Sequence, residues 1–167
     1  MNKKQKLVKA MEHESISAKE ALESALDLYS AEPDNSSQEA LFKAIIYMML
    51  KKGEVYTAIM GEKIPENPSD IVNGAHYSGF DLRALDLQDG RRVAVAITGS
   101  DKLKEVPPTA FLEAPLAELM AYIAEQEVDG LLINPGPNNY FMPMALVKAC
   151  LEQWEMIQKL MHNRASK

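Results

Sequence analysis

The stretch "DGLLINPGPNNYFMP", residues 129–143, passes from apolar to turn-forming and back to apolar. Leu131-Leu132-Ile133 is bounded by Gly130 and by a cluster of Pro, Gly and Asn, which predicts a short buried strand ended by a stiff corner. The Asn134 amide can tie down the turn, Pro135 and Pro137 restrict its backbone, and Gly136 permits a positive-φ step between them. Phe141-Met142 predicts a further small strand. Pro143 then launches a final helix with Leu146, Val147, Cys150, Leu151, Trp154 and Ile157 at compatible spacing.

Upstream, "RRVAVAIT" (91–98) is almost continuously apolar after its arginines and reads as an interior strand. Asp89-Gly90 supplies tight-turn chemistry, so residues 77–87 and 91–98 are expected to form a hairpin. The first arm is ambiguous: Phe80, Leu82 and Ala84 point one way, Leu85 and Leu87 the other. Val55–Met60 predicts a strand, residues 61–74 a long irregular excursion stiffened by Pro65 and Pro68, and Thr109–Leu112 another brief strand. Pro115 suits a first helical position, followed by Leu116, Leu119, Met120 and Ile123.

The opening segment is helical. Ser17 and Glu20 have capping-box spacing before Ala21, Leu22, Ala25, Leu26 and Tyr29. Ser36 and Glu39 offer a second box before Leu41, Phe42, Ile45, Met48 and Met49. Residues 1–16 are expected to be flexible, 17–162 to form one domain with an added N-terminal helix, and 163–167 to be a flexible tail. The fold class is therefore α+β, with a central mixed sheet of about five strands covered by helices.

Composition narrows the functions. The 167 residues are 47% hydrophobic and 25% charged, ordinary for a globular protein, and the net charge of −6 disfavours a phosphate backbone as partner. The lone Cys150 allows no intrachain disulfide, the basic opening returns to charge too quickly for a secretory leader, and no apolar run reaches spanning length. A cytoplasmic protein without membrane contact is expected.

Catalytic and metal residues are assigned to none. His13, His76 and His162 are dispersed, and neither a phosphate loop nor a nucleophile elbow occurs. Asp81, Asp86 and Asp89 read as surface and turn residues rather than paired acids. Ligand-binding candidates are the strand-end residues Thr98, Ser100 and Asn134, with Asn138, His76 and Tyr140. Candidates for contact with a protein partner or a second copy are Phe141, Met142 and Trp154, aromatic and adaptable side chains late in the chain. No cofactor is expected.

In order, "RRVAVAITGSD" (91–101), "PLAELMAYIAEQ" (115–126) and "VDGLLINPGPNNYFMPMALV" (128–147) resemble the N-terminal domain family of SseB, the enhanced serine sensitivity protein. The resemblance covers residues 38–153. Ile97-Thr98-Gly99-Ser100 stands at the family's Phe-Thr-Ser-like strand end, and Gly130, Asn134, Pro135 and Gly136 match its Gly-x-x-x-Asn-Pro-Gly-like signature. The resemblance implies no catalytic role for Thr98 or Asn134. Because Ile97 replaces an aromatic residue, contacts of that ring do not carry over. The family name describes a phenotype, so serine is not thereby a substrate. The expectation is a noncatalytic binding or regulatory module working through a protein partner; a small-metabolite binder is the alternative, and an enzyme comes third.

Overall fold

Periodicity resolves into elements in the computed structural model, which describes residues 1–60, 81–107 and 109–165. They gather into two compact units, Met1–Gly53 with Ala149–Lys167, and Glu54–Lys148. The fold class is α+β, with a mixed sheet.

In the second unit, β1 (Glu54–Ile59) runs antiparallel to β4 (Ala110–Pro115), with Thr57 opposite Leu112. Four further strands, β2 (Leu85–Asp86), β3 (Arg92–Ala96), β5 (Gly130–Ile133) and β6 (Tyr140–Pro143), lie in the order β2-β3-β5-β6. β3 and β5 are parallel, from Val93 opposite Gly130 to Ala96 opposite Ile133, while the flanking pairs are antiparallel. Tyr56 and Ile97 join the two sets by exchanging backbone hydrogen bonds of 2.8 Å each. β3 is interior, as its apolar run predicts: Val93, Ala94, Val95, Ala96 and Ile97 are all buried. α4 (Leu116–Ile123) packs beside β4 and β5 and buries Leu116, Leu119, Met120 and Ile123, the predicted face.

The hairpin differs from its expectation. Among the described residues only Leu85 and Asp86 pair with β3, whereas Leu82 bridges Ile59 of β1. The donation from Arg83 N–H to the Ala58 carbonyl (3.1 Å) belongs to the same switch of partner. That switch accounts for the two conflicting alternations in the sequence. The turn itself is as predicted. Gly90 has φ +90°, and the Asp89 carboxylate accepts from the Arg91 backbone (3.0 Å) and side chain (2.7 Å). Residues 61–74 and the hairpin's start at 77–80 lie outside the described residues. Pro115 closes β4 and caps α4 at φ −57°, ψ 135°, so it stands one step before the first helical residue, Leu116, and not at the predicted first helical position.

In the first unit are α1 (Lys3–Glu12), α2 (Ala18–Ala31), α3 (Asn35–Leu50) and the Ala149–Ala165 part of α5 (Met144–Ala165). Residues 3–12, within the segment expected to be flexible, thus form a helix. Asn2 and Gln5 form a reciprocal cap (2.8 and 3.0 Å), and Leu7 and Met11, one turn apart, are buried. Lys4 adds a 2.7 Å ion pair to Asp34 and, together with the Ser37 amide, holds the Asp34 carboxyl down at about 2. The helix also continues to Ala165, into the predicted tail. Ser17 caps α2 as predicted. The second cap is Asp34 rather than Ser36: Asp34 Oδ1 accepts from Ser37 N–H (2.8 Å), and Ser37 Oγ accepts from Asp34 N–H (3.0 Å). A carboxylate already facing a lysine is the better acceptor for helix-end amides.

Candidate functional site

β3 and β5 deliver Thr98 and Asn134 to one place because the strands are parallel and in register up to Ala96 and Ile133. Asn134 N–H still reaches the Ala96 carbonyl (2.9 Å), but its φ of +49° turns the chain into the left-handed region. The side chain is thereby aimed across at Thr98. Asn134 Oδ1 accepts from Thr98 N–H at 2.9 Å, and Asn134 Nδ2 donates to Thr98 Oγ1 at 2.9 Å. Both residues are buried, at 4% and 7% exposure. The sequence-level pair thus meets, and its polar atoms spend hydrogen-bonding capacity on each other.

The other described ligand candidates are more exposed than this pair. Ser100 is exposed at the first residue of the 3₁₀ turn Ser100–Glu105. Asn138 is exposed and Tyr140 half-buried on β6. His76 lies outside the described residues. The corner's backbone is pinned by Asn139, whose N–H and Nδ2 both donate to the Gly136 carbonyl, the latter at 2.7 Å. Gly136 has φ +124°, as the spacing predicts, and the Glu105 side chain lies over it.

The interaction candidates separate. Met142 is 0% exposed and belongs to the core. Phe141 is half-buried, with the Arg91 guanidinium 4.1 Å from its ring centre. Trp154, half-buried, lies in the helical unit, and its indole N–H is buried without a partner among the described residues. Cys150 is buried, and burial pushes its thiol up to about 11, so it remains protonated and unreactive at neutral pH. Among the described residues no group of His, Cys, Asp or Glu is arranged to hold a metal ion, and no helix is long and apolar enough to cross a membrane.

On β1 and β4, Glu54, Tyr56 and Glu113 share a face, since Tyr56 is opposite Glu113. Burial first, then the Glu54 charge and a hydrogen bond with it, push the Glu113 carboxyl above its ordinary 4.5. Burial and the same two carboxylates push the Tyr56 phenol up as well. The folded chain therefore keeps a proton on Glu113 that the unfolded chain has already released. Stability falls as pH rises from 4.5 through the raised folded value, and the loss is complete above it. Glu113→Gln is expected to melt at a higher temperature than the parent at neutral pH, with the gap closing as pH falls to the ordinary carboxyl value. Parallel melting profiles across that range would refute the assignment.

The helical unit carries an apolar groove of about 520 Å³. Val8 and Met11 of α1, Phe42, Ile46, Tyr47 and Leu50 of α3, and Ile157 of α5 line it. Glu12, Glu39 and Lys43 sit at its edge, the last two as an ion pair of 3.3 Å. These residues were not among the sequence candidates. Their signal is a second apolar stripe on α3: Leu41, Ile45, Met48 and Met49 are fully buried, while Phe42, Ile46 and Leu50 repeat every fourth residue. One helix with two apolar stripes has two surfaces to cover.

A mixed sheet whose parallel strand ends are fastened by a threonine and a left-handed asparagine, followed by a Pro-Gly corner, defines a specific class of small α+β protein. The family model described as SseB protein N-terminal domain matches residues 22–149, and the chain belongs to that family. The match begins inside α2, so most of that helix lies in the family region rather than being an addition to it. No curated protein and no solved structure matches the chain.

Proposed function

We propose that the chain is a noncatalytic cytoplasmic binding or regulatory module acting through protein–protein contact, with the helical groove as its docking surface. The groove carries the reading: its volume of about 520 Å³ suits several large apolar side chains, and its α1–α3–α5 walls suit an amphipathic helix presenting residues at i, i+3, i+4 and i+7. Family membership and the mutual use of Thr98 and Asn134 support the same reading, because the best-placed polar groups at the strand ends act structurally.

Phe42 is half-buried and lines the groove, so Phe42→Glu places a charge there. Affinity capture with the full chain, followed by titration with the purified captured protein, should show at least about tenfold weaker binding for the variant, or about 1.4 kcal/mol. Circular dichroism checks that the variant is folded. Unchanged partner affinity, or saturable binding of a small metabolite with no protein partner, would overturn the proposal.

A further inference from the structure

The helix that walls the groove also carries unburied apolar residues. Gln153 and Ile157 of α5 face the groove, while Met156, Leu160 and Met161 are 57%, 56% and 59% exposed. At about 100° per residue, Met156 and Leu160 lie beside Gln153 and Ile157, so one apolar surface continues from the groove wall onto a crest. Among the described residues, none fills the groove and none covers the crest.

Charge selects the occupant. With Lys43 paired to Glu39, Glu12 leaves the groove edge net negative. Beyond Glu155, described α5 carries the cations Lys159 and Arg164 and no acids. Glu152 and Lys159 are two turns apart on the flank of the crest. A twofold axis beside Met156 makes two α5 helices antiparallel and sets Glu152 of each copy beside Lys159 of the other.

We propose that the docking surface takes a second copy of this chain, with each Met156–Leu160 crest covering the other's groove about that axis. The proposal rests on the docking reading above and supplies its partner. Sedimentation equilibrium of the full chain, from about 1 to about 200 μM, tests it. The parent chain should approach twice its 18.6 kDa as concentration rises. Met156→Glu with Leu160→Glu should raise the dissociation constant at least about tenfold while leaving the helical content unchanged. Because both positions are already exposed, the change does not open the core.

Glu152→Lys alone should weaken association, and adding Lys159→Glu should restore it, since the exchanged chain pairs with itself again. That rescue cannot arise from damaged folding. A parent chain monomeric at every concentration, a double glutamate variant that dimerises unchanged, or charge exchange without rescue would overturn the proposal. A monomer whose captured partner still depends on Phe42 would overturn the second-copy assignment and leave the docking reading standing.

Discussion

Gly130→Ala is expected to destabilise the sheet by about 3 kcal/mol or more. A Cβ at this position would sit 2.0 Å from the Met142 carbonyl oxygen and 2.8 Å from Phe141 Cε2. The oxygen belongs to the paired β6 backbone, so no rotamer change relieves the contact. Withdrawing β6 would loosen the ladder that sets Leu131 opposite Met142 and Leu132 opposite Phe141. Gly90 supplies the control. A Cβ there has nothing within 4 Å, leaving only its φ of +90°, so Gly90→Ala should cost about 1 kcal/mol. Urea titration followed by circular dichroism measures both. Equal midpoints for the two variants would sink the backbone-contact explanation.

Asn134→Ala is the second large effect, at about 3 kcal/mol. It leaves the buried Thr98 N–H without its side-chain acceptor and places a Cβ residue without the Asn side chain at φ +49°. Asn134→Gly relieves the backbone part and loses only the amide, so it should be less damaging by about 1 kcal/mol. Thr98→Val removes the hydroxyl that accepts from Asn134 Nδ2. A double-mutant cycle of Thr98→Val with Asn134→Ala should give a coupling energy of about 1 kcal/mol. Additive losses would show that the two side chains act independently, contrary to the geometry.

Much of the architecture was legible because local rules and burial agreed. β3 announced itself by five successive small and branched apolar residues, and the corner by Pro, Gly and Asn in a fixed order. What stayed hidden depended on distant partners. Leu82 and Leu85 look like one faulty alternation until β1 and β3 take one each. The Ser36–Glu39 spacing lost to Asp34, whose ion-pair partner Lys4 lies 30 residues earlier in the chain and cannot be read from the cap's own residues. For the strand-end candidates, the sequence names Thr98 and Asn134 without saying whether they meet, and only geometry shows that they bond to each other. Met142 looked like an adaptable contact residue by type, whereas its register opposite Leu131 places it in the core. The helical groove was visible only as surplus hydrophobicity on α3.

The corner separates what holds the fold from what meets the outside. Gly130 is fixed by the proximity of a neighbouring carbonyl, Asn134 by a left-handed step with a bond to make, and Gly136 by a φ that side chains rarely adopt. Each demand is met inside the chain, by backbone or by a neighbouring side chain, and refers to nothing outside the protein. Substitutions on the outer helix faces can therefore change what the chain contacts without disturbing these three residues. The corner thus specifies a shape and leaves the choice of partner to residues elsewhere.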